Sequence, residues 1–181
     1  MATLQSYDLP LKRFVSEEEY LTTTYRPDCD YVDGRLEERN FGERDHAVLQ
    51  SLLATLFMNN RRIWGVYAAT DWRVQVRRSN YRIPDVTVLP IGSTKETVLR
   101  QPPLLTIEIL SPRDTLKKMA KRCEDYVRFG IPNIWIVDPE TRTAWYLTVE
   151  GLIPAESGEL TVPGTPIRVV LDEVFAELDA V

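Results

Sequence analysis

The stretch LLTIEILSPRDTLKKMAKRCEDYVRFGIPNIWIV, residues 104–137, decides the predicted fold of this 181-residue chain. It begins with a β-rich apolar run at 104–110 and ends with another at 133–137. Between them, apolar residues recur every three or four positions, which is typical of an amphipathic helix. Three residues favour a helix start, with Ser111 as the N-cap followed by Pro112 and Asp114. Gly130 and Pro132 favour its end. We therefore predict a helix over 111–129 inside a βαβ unit, which favours parallel strands.

The segments on either side of this unit predict a mixed sheet with helices against it. Further helices are predicted at 16–21 with Ser16 as N-cap, at 45–58 with Asp45 as a candidate N-cap, and at 171–178. The further predicted strands are 65–69, 72–78, 83–89, 144–149 and 166–170, and AspGly within 31–37 predicts a hairpin. The fold class is α/β (α+β), a mixed central β-sheet flanked by helices, in a single domain over residues 1–181.

The composition is that of an ordinary globular protein, with 44% hydrophobic and 27% charged residues. No apolar run approaches the roughly 20 residues that span a bilayer, and the N-terminus lacks the order of a signal peptide, so we expect a cytoplasmic protein without a membrane partner. One histidine and two distant cysteines argue against a structural zinc site. The net charge of −5 argues against non-specific coating of nucleic acid, although basic residues cluster before Asp85 and after Glu108.

Two carboxylates stand in strands that should be mostly buried, Asp85 in IPDVTV and Glu108 in LLTIEIL. If these strands are neighbours, both acids converge on one point, where unpaired burial would be costly. Mg²⁺ prefers oxygen ligands and is often held by one or two carboxylates, so the acids are candidate metal ligands. The alternative is structural: Asp85 caps a loop, and Glu108 forms a salt bridge with Arg82 or Arg122.

These acids belong to an ordered set of motifs that resembles the Uma-two family, within the PD-(D/E)XK nuclease superfamily. The motifs run nearly end to end: SEEEYL at 16–21, YVDGRL at 31–36, the helix that carries His46, IPDVTV at 83–88, PPLLTIEILSP at 102–112 and YVRFGIPNIWIVDP at 126–139. The resemblance implies a restriction-endonuclease-like core with Mg²⁺ or Mn²⁺ at Asp85 and Glu108. It also implies hydrolysis of nucleic-acid phosphodiester bonds, with DNA as the expected substrate.

One departure from the superfamily pattern concerns its lysine, which normally lies two residues after the second acid. This chain has Leu110 there. Within the family, the resemblance implies that the basic residue lies four positions before a tyrosine, which is Arg122. An arginine can hold a phosphate through two hydrogen bonds, but it does not give up a proton to activate water. We favour Arg122 as the cation of the site, with its neighbour Lys121 as the alternative.

Three residues at the first long helix are flanking candidates. His46 and Gln50 are four positions apart and share one helix face, and Glu43 precedes them. In related nucleases an acid near this helix often helps hold the metal, so Glu43 is a candidate ligand, and His46 could orient water or phosphate. The alternative is that His46 and Gln50 only form hydrogen bonds within the fold.

Two other functions remain open on the sequence. The chain could be a catalytically degenerate nuclease that binds nucleic acid without cleaving it, as Leu110 and Arg122 at the two lysine positions suggest. It could also be a partner-binding module whose acids are structural. Cutting both strands of DNA would need two sites, which favours a homodimer.

Overall fold

The computed structural model describes residues 14–26, 28–39 and 43–181. The helices are α1 (Glu17–Thr22), α2 (Arg44–Asn59), α3 (Arg61–Trp64), α4 (Leu116–Phe129) and α5 (Leu171–Ala180). The strands are β1 (Cys29–Val32), β2 (Arg35–Glu38), β3 (Val66–Thr70), β4 (Val74–Arg77), β5 (Asn80–Arg82), β6 (Val86–Pro90), β7 (Leu105–Ile109), β8 (Ile134–Asp138), β9 (Thr143–Thr148), β10 (Gly151–Pro154), β11 (Glu159–Thr161) and β12 (Arg168–Val170). Within these described segments, no helix is long and apolar enough to cross a membrane.

A six-stranded mixed sheet forms the centre of the fold, in the order β10-β9-β8-β7-β6-β3. β7 and β8 run parallel and are connected through α4, which confirms the predicted βαβ unit. The other neighbouring pairs of this sheet are antiparallel. The predicted mixed central sheet is therefore confirmed.

Helices cover both faces of this sheet because strand side chains alternate between the faces. On one face, α2 and α5 pack against the inward side chains of β7 and β8, including Ile107 and the fully buried Trp135. On the other face, α4 packs Cys123 and Tyr126 against Ile136 and its neighbours. Both apolar layers are thereby removed from water, which is the main stabilisation of such a sandwich.

A second sheet, in the order β2-β1-β5-β4, lies beside the central one. Its β1–β2 hairpin turns at Asp33 and Gly34, whose φ angles of 49° and 83° confirm the turn predicted from AspGly. Stacked tyrosines, among them Tyr20 and Tyr31, join α1 to this sheet. The hairpin matters for function because β1 and the end of β2 bring Asp30 and Arg39 to the central sheet.

Three sequence predictions about element boundaries were wrong. The cap of α4 is Thr115, whose hydroxyl accepts from Lys118 N at 3.3 Å, and not Ser111. Ser111 instead begins a turn, in which Asp114 N donates to Ser111 O at 2.8 Å, so the helix starts later. Asp45 lies in the first turn of α2 rather than at its cap. The predicted strand 83–89 begins three residues late, as β6 at Val86, because residues 83–85 lie outside any strand and Pro84 among them lacks an N–H donor.

Candidate active site

A cleft of about 110 Å³ opens between the second sheet, β7 and the start of α4. Its lining residues are Asp30, Glu37, Glu38, Arg39, His46, Asp85, Glu108, Ile109, Ser111, Asp114, Met119 and Arg122. Acids and guanidiniums dominate this set, so the cleft is suited to charged ligands rather than to apolar ones. The two acids singled out from the sequence both lie in it.

Asp85 and Glu108 face each other across neighbouring antiparallel strands. Val86 pairs with Ile107, and continuing that register places Asp85 opposite Glu108. The Ile109 backbone N–H donates to Asp85 Oδ2 at 2.8 Å, which ties the two strand ends together. Both carboxylates are buried, with 2% exposure for Asp85 and none for Glu108. The two acids were expected to converge if their strands were neighbours, and β6 and β7 are neighbours.

Each carboxylate of the pair has a guanidinium of its own. Arg122 Nη1 donates to Glu108 Oε2 at 2.6 Å, and the Tyr126 hydroxyl donates to Glu108 Oε1 at 2.5 Å. Arg39 donates to Asp85 Oδ1, and His46 Nε2 lies 3.2 Å from Asp85 Oδ2. The site is therefore a network of alternating charges. The salt bridge between Glu108 and Arg122, which the sequence analysis gave as a structural alternative, is present.

Asp30 is a third buried acid of the site, and the sequence analysis missed it. Two guanidiniums converge on it, with Arg122 Nε at 2.8 Å and Arg82 Nη1 at 2.9 Å from Oδ2. Its other oxygen accepts from the Ile83 N–H at 2.9 Å. The signal that would have found Asp30 is the one used for Asp85, a carboxylate inside a short apolar run. Arg39, also missed, stands in a charged run that offers no such signal.

The remaining candidates divide into two groups. Gln50 Nε2 donates to the backbone oxygen of Asp85 at 2.9 Å, so it positions that residue from α2. Glu43 and Lys121 are both exposed, and neither lines the cleft in the described part of the chain. Glu43 lines an adjoining groove of about 360 Å³ that shares His46 with the cleft. Leu110 is buried in the core beneath α4 and also lines this adjoining groove.

Burial is the largest influence on the pKa of each acid, but its outcome differs. It raises the pKa of Glu108 to about 7 against the opposing charge of Arg122. For Asp85, burial is outweighed by the hydrogen bond from His46 and the charge of Arg39, which hold its pKa below the ordinary value. For Asp30, burial is outweighed by Arg122 and Arg82, and its pKa falls to about 2. Asp85 and Asp30 are thus ionised at neutral pH, while Glu108 is close to its titration point.

Burial and a charged neighbour also compete at His46, where the charged form is a cation rather than an anion. Burial lowers the pKa of its imidazole, whereas the hydrogen bond with Asp85 raises it, and the net pKa lies above the ordinary value. The imidazole lies between the cleft and the adjoining groove, since it lines both. It is therefore placed to hold a proton beside Asp85.

The donor set at Asp85 and Glu108 fits a hard cation. A carboxylate offers about four lone-pair positions. Arg122 and Tyr126 use two of those on Glu108, so positions remain for an ion. Mg²⁺ takes many of its ligands from water and phosphate, so two carboxylates suffice. Among the described residues, no group of three or more His, Cys, Asp or Glu residues suited to a metal occurs.

The raised pKa of Glu108 predicts a loss of stability as the pH rises. The pKa in the fold is about 7 and the ordinary value is 4.5, so the stability contribution is complete below 4.5 and is lost as the pH rises through 7. His46 acts in the same direction at higher pH, because its folded pKa is also raised. We expect the free energy of unfolding in urea, with a chelator present, to fall by roughly 1 kcal/mol per pH unit between pH 5.5 and 7.

The control for this measurement is Glu108→Gln, which cannot titrate at that position. Its unfolding free energy should fall less over the same pH range. Identical pH profiles for the two proteins would mean that Glu108 is ionised throughout, and would contradict the effect of burial.

Comparison with known proteins agrees with this geometry. The sequence model of the Uma2 family, described as "Putative restriction endonuclease", matches residues 17–171. A protein of Synechocystis sp. with the name "Uncharacterized protein slr1290" is 33% identical over 103 residues, which cover 54% of this chain and 54% of that protein. The chain thus matches about half the length of that curated relative.

Among solved structures, a crystal structure described as "a putative nuclease belonging to DUF820" from Anabaena variabilis has a TM-score of 0.75 to this chain. The match covers 91% of this chain and 99% of that chain at 18% identity, so it shows a shared fold. This structure shows the fold, and the family rests on a match that extends from α1 to the start of α5. The chain belongs to the Uma2 family of restriction-endonuclease-like proteins.

Proposed function

We propose that this protein is a metal-dependent endonuclease that hydrolyses phosphodiester bonds of nucleic acid, with DNA as its substrate. The observation that carries the proposal is the placement of Asp85 opposite Glu108 at the buried end of a charged cleft. The family to which the chain belongs supports the same class of reaction.

In this proposal Asp85 and Glu108 hold Mg²⁺ or Mn²⁺, which when bound polarises a phosphoryl group and lowers the pKa of bound water. Arg122 lines the cleft beside Glu108, and its guanidinium can donate to a phosphate oxygen. Asp30 holds that guanidinium in position through two contacts, Nε to Oδ2 at 2.8 Å and Nη2 to Oδ1 at 3.2 Å. His46, next to Asp85, can give or take a proton near the reacting atoms.

In this proposal the nucleic acid runs along α4. Lys117, Lys118 and Lys121 are exposed on this helix, and Lys118 lies one turn before Arg122. Their charges suit a phosphate backbone that leads toward the cleft. Lys121 thereby keeps a role in substrate binding, while Arg122 is the cation of the cleft itself.

A second function is favoured by a specific observation. Each of the three buried acids already contacts a guanidinium, and no lysine lines the cleft in the described residues. A nuclease fold that has lost water activation would look like this. Such a protein would bind nucleic acid with an affinity that falls with salt, and it would not cleave it.

The deciding experiment is nicking of a supercoiled plasmid by the wild-type protein with Mg²⁺, with Mn²⁺ and with a chelator, together with calorimetric titration of Mn²⁺. We expect nicked plasmid only with a metal. Linear product formed in a single encounter would support the homodimer favoured by the sequence. Metal and DNA binding without any cleavage would favour the degenerate protein. The absence of both kinds of binding would leave the acids as structural groups.

A further inference from the structure

The three buried acids of the site already have cations as partners. Three buried acids, Asp30, Asp85 and Glu108, are matched by the three guanidiniums of Arg39, Arg82 and Arg122. A divalent ion between Asp85 and Glu108 would add two positive charges beside two of these guanidiniums. Like charges at such separations repel strongly where water is excluded. We therefore expect one cation to change partner, or a further anion to enter, when the ion binds.

Arg39 and Arg122 differ in how firmly they are held. Arg122 donates to both oxygens of Asp30, to Glu108 and to the backbone oxygen of Ile83 at 3.1 Å. The three residues that supply these partners, Asp30, Glu108 and Ile83, are all buried. Losing Glu108 would still leave its guanidinium held by Asp30. Arg122 is accordingly the cation that stays in place.

Arg39 has fewer side-chain partners than Arg122, and one of them is exposed. It follows the last residue pair of β2, Glu38 with Cys29, so its backbone is outside the strand ladder. Its guanidinium bridges Asp85 and Asp71, with Nη1 at 2.9 Å from Asp71 Oδ1. The Asp71 side chain is 50% exposed, whereas that of Asp85 is 2% exposed. If the contact with Asp85 is released, Asp71 can still hold the guanidinium at the outer side of the cleft.

We propose that Arg39 is a resident counter-ion of Asp85 that moves from this carboxylate to a nucleic-acid phosphate when a divalent ion binds. The inference rests on the proposed function, because it assumes that an ion and a phosphodiester enter this cleft. The phosphate supplies the missing negative charge and two oxygens that suit the planar guanidinium. The ion and the nucleic acid then bind cooperatively, and each raises the affinity of the other by the same factor.

The test is calorimetric titration of Mn²⁺ into wild type and Arg39→Gln, with and without a short DNA duplex whose phosphorothioate linkages resist hydrolysis. For wild type we expect the duplex to lower the Kd of Mn²⁺ by roughly tenfold or more. For Arg39→Gln we expect tighter Mn²⁺ binding without the duplex and a smaller effect of the duplex than in wild type. Arg39→Lys keeps the positive charge, so it should retain most of the cooperativity.

The matched control is Arg142→Gln, which removes a surface guanidinium that pairs with Asp179. It should bind Mn²⁺ as wild type does, and circular dichroism of each variant reports whether it is folded. Equal Mn²⁺ affinities and equal duplex effects in wild type and Arg39→Gln would overturn the inference while leaving the proposed function intact. If Mn²⁺ binds to none of the proteins, with or without the duplex, both proposals fail. If Arg39→Gln is unfolded, Arg39→Lys decides, since loss of cooperativity with the charge retained would contradict a counter-ion role.

Discussion

Replacement of Glu108 by glutamine is expected to lower the rate of plasmid nicking by roughly a thousandfold, because a neutral amide is a poor ligand for Mg²⁺ and the ion contributes several kcal/mol to transition-state stabilisation. The substitution preserves the shape of the side chain. The amide oxygen can still accept from the Tyr126 hydroxyl, and Arg122 keeps its contacts with Asp30. The loss is therefore one of charge at the metal site.

The fold should tolerate this variant. Burial raises the pKa of Glu108 to about 7, so the fold already accepts a neutral side chain at this position near neutral pH. Initial nicking rates with Mg²⁺ and with Mn²⁺ measure the effect, and urea unfolding shows that the variant is folded. Glu124→Gln is the control, because Glu124 pairs with Arg128 on the exposed side of α4. This variant should nick at the wild-type rate. A Glu108→Gln variant that nicks as fast as wild type would remove Glu108 from the catalytic site.

The second large effect concerns stability, at Asp30. We expect Asp30→Asn to lower the free energy of unfolding by about 3 kcal/mol, because removing one member of a buried ion pair leaves uncompensated charge. Arg82 and Arg122 both donate to the carboxylate of Asp30, which is 2% exposed. The fall in its pKa from 3.8 to about 2 points to a contribution of similar order, about 2 kcal/mol at neutral pH.

The sign of this contribution is opposite to that of Glu108. The folded pKa of Asp30 is depressed, so its contribution is present above pH 3.8 and is lost as the pH falls toward 2. Urea unfolding at pH 7 and at pH 3 measures both the loss in Asp30→Asn and its reduction to about half in acid. Asp179→Asn, which affects the surface pair with Arg142, should cost less than about 1 kcal/mol. A similar small cost at Asp30 would show that Arg82 and Arg122 are held by their other partners.

Several parts of the fold could be predicted from the sequence because their signals are local. The periodic apolar stripe of α4, the AspGly hairpin and the apolar strand that contains Trp135 all depend on residues close together in the chain. The faces of Glu108 and Ile107 follow from alternation along one strand. Boundaries were less predictable, since Ser111 and Thr115 are both plausible N-caps and only the turn from Ser111 to Asp114 selects Thr115.

The sequence by itself determined the two central acids, Asp85 and Glu108, because the cost of a carboxylate in an apolar strand is visible without a structure. What only the tertiary structure decided is which charges meet. Asp30 and Arg122 are 92 positions apart in sequence, and Arg39 and Asp85 are 46 apart, so no local pattern could pair them. Their contacts exist because the β1–β2 hairpin is packed beside β7 and α4, and because burial there makes each charge require a partner.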